Sequence, residues 1–177
     1  MDNTLRDLAQ TIDRTCRLHG EFLLRSGSIA DEYFDKYLFE SDPALLRRVV
    51  DQMVPLIPAD TDVLGGLELG GVPLVTVLSQ VTGLPSVFVR KEAKQYGTCK
   101  LAEGLNVEGK VVTLVEDVIT TGGAVRNAAL ALREHQASVT VVLCAIDRSQ
   151  PASRALADLG VQIRPVLTKA ILDATLE

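Results

Sequence analysis

The chain has little from which to build a disulfide or metal framework. Its three cysteines (Cys16, Cys99 and Cys144) are an odd number without metal-ligand spacing. A reducing cytosol is their simplest setting, so a cytoplasmic location is expected. No run approaches the ~18 apolar residues of a membrane span, although 47% of the residues are hydrophobic. The opening segment MDNTLRDLAQ is polar and acidic and holds no apolar signal-peptide core. Positive charge is also short. The 18 Lys and Arg face 23 Asp and Glu, a net of -5, which argues against nucleic acid as a bulk partner. No internal repeat, linker or low-complexity tract interrupts the 177 residues, a length that suits one domain, 1–177, with a sizeable core.

What is present is an alternation of apolar segments. Residues 2–19 read as an amphipathic helix, with Leu5, Leu8, Ile12 and Cys16 on one face. Residues 21–25 and 32–39 read as extended, with Ser26-Gly27 in the turn region between them. Helices are expected over 43–54, 72–82, 124–135 and 151–159, and strands over 62–66, 86–90, 111–115, 139–146 and 161–167. Residues 91–107 read as a long polar loop. The alternation implies an α/β fold, a parallel sheet with helices on both faces. Ligands of such sheets bind beyond the carboxyl ends of the strands. The loops 66–71, 90–104, 116–123 and 147–150 all follow strands.

The most informative stretch is 111–124, VVTLVEDVITTGGA. An apolar strand runs into Glu116 and Asp117, then a small-residue loop, then an Ala-rich helix. Open backbone N–H groups and the helix N-terminus suit a phosphate. Thr120 and Thr121 add hydroxyl donors, and Gly122 and Gly123 admit close approach. Two carboxylates just before the cup suit a ligand with hydroxyls, or a metal, beside its phosphate. A ribose 5-phosphate has that layout. A Walker loop is excluded because Ala124-Val125 follows the last glycine in place of Lys-Ser/Thr. The spacing also differs from that of a dinucleotide fingerprint.

This segment resembles the phosphoribosyl-pyrophosphate (PRPP) motif of the type I phosphoribosyltransferases. The resemblance implies PRPP contacts from Glu116, Asp117, Val118, Ile119, Thr120, Thr121, Gly122, Gly123 and Ala124. A second segment begins Arg90-Lys91-Glu92-Ala93-Lys94, with four cations against one Glu between Arg90 and Lys100. A pyrophosphate needs such cations. The segment resembles the mobile loop of orotate phosphoribosyltransferases, which implies PRPP contacts from Arg90, Lys91 and Lys94 and a catalytic role for Lys94. Tyr96 stands where that family commonly has His.

Two further segments extend the resemblance. Residues 22–36, FLLRSGSIADEYFDK, are similar to the family's orotate-binding hairpin. An aromatic pair, Tyr33 and Phe34, is expected opposite Ser26-Gly27 across a hairpin. The likeness implies base contacts from Arg25, Ser26, Gly27, Phe34 and Thr120, with Phe34 stacking on the pyrimidine. Arg25 replaces a common Lys. The turn 65–71, GGLELGG, suits a backbone cradle, and in the family the matching loop binds pyrophosphate. Leu69 and Gly70 are its implied PRPP contacts, with Gly70 where many members carry Lys. Arg148 ends a strand where the family holds the orotate carboxylate.

The matches span roughly residues 20–150. They imply a type I phosphoribosyltransferase-like fold with a small N-terminal hood, about 1–40, on a core of about 41–177. The implied reaction joins orotate to the ribose of PRPP, with Lys94, Glu116 and Asp117 as catalytic residues. Mg2+ would enter through PRPP, with no direct protein ligand. His19 and His135 fall outside the motifs and are assigned to helix surfaces. A homodimer with shared sites is implied, without nucleic-acid or membrane partners. Two alternatives stay open: transfer to another base, or PRPP sensing by a regulatory protein. The acidic charge counts against the second, and the hairpin and RKEAK loop against the first.

Overall fold

The structure, a computed structural model, describes residues 3–24, 27–91, 101–149 and 156–174. Helix α1 (Asn3–Cys16) buries Leu8, Ile12 and Cys16 along one stripe. It stops before residue 19 because the chain turns extended at Arg17. Strands β1 (Arg17–Leu23) and β2 (Ile29–Phe34) form an antiparallel hairpin. His19 therefore lies in a strand, not on a helix. The second extended segment also ends early. Asp35 Oδ1 accepts from Tyr37 N (3.1 Å) and opens a short helix, α2 (Tyr37–Ser41), which turns Phe39 and Glu40 inward.

Helix α3 (Pro43–Met53) starts where sequence rules place it. Pro43 takes the first turn, and the Asp42 carboxylate accepts from Ala44 N and Leu45 N at 2.9 and 3.0 Å. The remaining elements are β3 (Val63–Leu67), α4 (Gly71–Thr82), β4 (Ser86–Val89), β5 (Ala102–Glu103), β6 (Val112–Ile119), α5 (Gly123–Glu134), β7 (Val141–Asp147), β8 (Gln162–Thr168) and α6 (Lys169–Asp173). In the segment 151–159, residues 151–155 lie outside the described residues, and Ala157–Leu159 forms a single 3-10 turn.

Six strands form one sheet in the order β5-β4-β3-β6-β7-β8. It is parallel except at its edge, where β5 runs antiparallel to β4. The 91–107 segment is thus not loop throughout. Along β7, Leu143 and Ala145 enter one core, beneath α1, α3 and α4. Val142 and Cys144 enter the other, beneath α5. This period-two division lets one strand serve two layers. β6 runs four residues past its expected end because the ladder to β7 continues through Glu116↔Cys144 and Ile119↔Asp147.

From β3 the chain proceeds outward to β4 on one side; from β6 it proceeds to β7 on the other. The winding direction reverses between β3 and β6. The crevice at their carboxyl ends is the topological switch point, where open α/β sheets bind ligands.

Candidate active site

The loop expected to hold a phosphate lies at the end of β6. Residues Thr120–Gly123 join the strand to the N-terminus of α5 and border a small cavity of about 70 Å³, also lined by Glu116 and Val118. Gly122 has φ 76°, a left-handed conformation that a side chain would resist. Its carbonyl accepts from Arg126 N (2.9 Å) and begins the helix. Thr120 and Thr121 are exposed, so their hydroxyls are open to a ligand.

Glu116 and Asp117 lie inside β6, not beyond it, and both are buried. Glu116 Oε1 accepts from Asp117 N (3.0 Å), and Asp117 Oδ1 from Val118 N (2.5 Å). Asp117 Oδ2 is ion-paired with Lys36, just past β2. A second acid, Glu40 of α2, joins them. A side-chain atom at Gly70 would lie 1.5 Å from Asp117 Oδ2 and 2.9 Å from Glu40 Oε1, so both carboxylates converge on that glycine. Burial, then the nearby Asp117, pushes Glu116 up to about 9 and Glu40 up to about 8. For Lys36, burial acts downward but the Asp117 hydrogen bond and charge outweigh it, so its pKa is raised. A protonated acid beside an ion-paired carboxylate offers a diol both a donor and an acceptor.

The turn after β3 divides into two functions. A Cβ on Gly66 would meet Val75 Cγ1 at 2.3 Å, and one on Gly71 would meet the Val115 carbonyl at 2.3 Å. These two glycines let α4 pack against the sheet. Gly70 alone among the turn's glycines faces the site carboxylates. Leu69 is exposed, and the peptide preceding it is cis. Glu68 does not point at an anion: its Oε1 accepts from Lys91 N at 2.7 Å. It thereby fixes the root of the basic segment. Arg90 N, donating to Leu101 O (2.9 Å), fixes the other side. A larger cavity of about 470 Å³ adjoins this root, lined by Glu68, Arg90, Lys91, Leu101 and residues of α5.

Arg148 follows β7, and its N–H donates to Ile119 O (2.8 Å), beside the cup. Its guanidinium lies over the Phe34 ring, 5.4 Å from the centroid. Two residues distant in sequence are thus brought together. The hairpin register differs from the sequence reading, however. Phe34 pairs with Arg17 at the hairpin's root, whereas Gly27 (φ 84°) lies at the far end, beyond the Leu23↔Ile29 pair. Phe34, like its neighbour Tyr33, which pairs with Leu18, is therefore not opposite Gly27. Two strands of this length carry a ring away from the tip, and turn residues alone do not reveal which positions face each other. Arg25, Ser26, Lys94 and Tyr96 lie outside the described residues.

Sequence reasoning missed Lys36 and Glu40. Lys36 is the final residue of the hairpin motif 22–36, and Glu40 falls between the expected extended segment 32–39 and the expected helix 43–54. Among the described residues there is no group of three or more His, Cys, Asp or Glu arranged for a metal.

The class is defined by residues 43–163, which match the model of the phosphoribosyl transferase domain. The chain is 64% identical to the orotate phosphoribosyltransferase of a Nocardioides species over 96% of this chain and 95% of that one. It is 40% identical to that of Methanocella arvoryzae, covering 86% and 87%. Among solved structures, Mycobacterium tuberculosis orotate phosphoribosyltransferase with Fe(III) dicitrate aligns with a TM-score of 0.84 at 33% identity, covering 96% and 98%. The same enzyme in complex with PRPP aligns at 0.80 and 29% identity, covering 96% and 99%. The chain belongs to the orotate phosphoribosyltransferase family, and is a transferase that draws on PRPP.

Proposed function

We propose that the β3–β6 crevice transfers the phosphoribosyl group of PRPP to N1 of orotate, releasing pyrophosphate and forming orotidine 5-phosphate. The observation that carries this reading is the junction of β6 and β7. There the diol carboxylates, the phosphate cup and the Arg148–Phe34 pair meet, with Arg148 N bonded to Ile119 O at 2.8 Å.

Thr120–Gly123 hold the 5-phosphate by hydroxyls and backbone N–H groups. Asp117 and Glu116 hold the ribose 2- and 3-hydroxyls and face the positive charge that grows at C1 as the bond to pyrophosphate breaks. Orotate enters with N1 deprotonated, so its electron pair forms the new bond and no protein base is required. Phe34 covers the pyrimidine ring, and Arg148 turns from it to the orotate carboxylate. Arg25, Ser26 and Gly27 are the further base contacts that the family resemblance supports. Arg90, Lys91 and Lys94 meet the pyrophosphate, with Leu69 and Gly70 beneath it. Catalysis is then chiefly positioning and electrostatics.

Mg2+ would arrive bound to PRPP. The buried carboxylate oxygens of Glu40 and Asp117 that converge at Gly70 are hard donors suited to its water ligands. The ion would supply charge neutralisation of the leaving pyrophosphate. The working form is a cytoplasmic homodimer in which residues of about 1–40 form the hood and Lys94 reaches a partner's site.

Incubation with PRPP and a panel of orotate, uracil, adenine and hypoxanthine tests the assignment. Nucleotide should form from orotate, with uracil used poorly. Equal use of uracil, or preference for a purine, contradicts it.

A further inference from the structure

The pyrophosphate-side turn, 68–71, has an electrostatic deficit. It contains one charged residue, Glu68, and no cation. That carboxylate is engaged by Lys91 N (2.7 Å), so it does not repel an anion directly, but nothing in the turn attracts one. Behind the turn stand three buried acids, Glu40, Glu116 and Asp117. None of these acids can supply positive charge to a pyrophosphate.

We propose that Lys36 is the cation of this turn: its ammonium, held at the β3–β6 crevice by Asp117, binds the pyrophosphate group of PRPP. The position follows from two contacts. A Cβ on Gly70 would fall 1.5 Å from Asp117 Oδ2, so this carboxylate oxygen occupies the space where a side chain at 70 would begin. The Lys36 ammonium contacts that same oxygen. The charge a longer residue at 70 would have carried is therefore delivered from the hairpin. An ammonium has three donors, and the Asp117 oxygen takes one. Half-buried at the crevice, Lys36 keeps access to a ligand while its stem is fixed. The contact also ties the N-terminal hairpin to the core strand that carries the ribose site, so both halves of PRPP would be read through one ion pair.

This inference rests on the PRPP reading of the site, and its test separates the two. Titrate wild type, Lys36→Met and Lys36→Arg calorimetrically with inorganic pyrophosphate and, separately, inorganic phosphate, at fixed Mg2+ and ionic strength. Loss of one charge-assisted contact should weaken pyrophosphate binding on the order of tenfold to a hundredfold in Lys36→Met. Phosphate binding at the 120–123 cup should be unchanged, and Lys36→Arg should recover most of the pyrophosphate affinity. Unchanged pyrophosphate affinity in Lys36→Met, or an equal loss for both anions, overturns the role. If Lys36→Met does not fold, Asp117→Asn with and without Lys36→Met carries the same comparison, because the orphaned charge is gone. Wild-type turnover of a base other than orotate would sink the substrate assignment while leaving the Lys36 comparison intact.

Discussion

Asp117 joins three parts of the molecule: its backbone belongs to β6, one oxygen faces Lys36 of the hairpin, and the same oxygen rests against Gly70. Asp117→Asn should keep the fold, since the amide is isosteric, yet lower kcat on the order of 10²–10³, the usual cost of one transition-state charge stabiliser. Steady-state rates beside a thermal melt check this; wild-type kcat would remove the ribose role. Glu40 gives a separate prediction, on stability. Its folded pKa, about 8, lies above the ordinary carboxylate value of 4.5, because burial disfavours its charge and Asp117 opposes it. The folded state thus binds the extra proton. Its contribution is present in full below about pH 4.5 and is lost as pH rises towards about 8. Glu116 acts in the same direction, up to about 9. Melting temperature should fall across that window in wild type and fall less in Glu40→Gln; identical slopes would contradict the coupling. Glu116 and Asp117 stand out in the sequence as candidates because two adjacent acids after an apolar strand are unusual. Lys36 and Glu40 do not, because they reach Asp117 and Gly70 only through contacts between segments distant in sequence.

At the scale of elements, the β6–α5 junction was readable almost in full. Its glycines, threonines and apolar run each have a local reason for their place, and local rules act within a few residues. Gly122 carries the sharpest local constraint, φ 76° at the helix entry. Gly122→Ala should cost about 1–2 kcal/mol from the left-handed backbone and weaken inorganic phosphate binding. A melt and a phosphate titration measure both, and full stability with unchanged binding would contradict the cup geometry. Edge strand β5 was hidden in a polar segment, since two residues show no periodicity. It exists because Phe88 and Val89 of β4 supply a ladder. The end of β6 was underestimated for the same reason: β7 extends it. The role of Glu68 was equally invisible. A carboxylate in a glycine turn reads as an obstacle to an anion until its bond to Lys91 N is seen.

At the scale of the molecule, the alternation of apolar segments implied a parallel sheet with helices on both faces, and the sheet has that form apart from its antiparallel edge. Strand order was not legible, because identical alternation is compatible with several windings. That order places the end of β3 beside the end of β6, so the glycine turn and the acids share one crevice. The proposed sharing of sites between two subunits makes a further prediction. Lys94→Ala chains mixed with Asp117→Asn chains should recover activity, since a mixed dimer holds one site with both residues intact. Proven subunit exchange without recovery would confine Lys94 to its own chain. The most direct measurement of the whole account follows orotate loss and pyrophosphate release together, in one reaction with PRPP and Mg2+. The account predicts equal amounts of each and no pyrophosphate when orotate is omitted. Pyrophosphate released without orotate, or orotate left unconsumed while pyrophosphate accumulates, would contradict it.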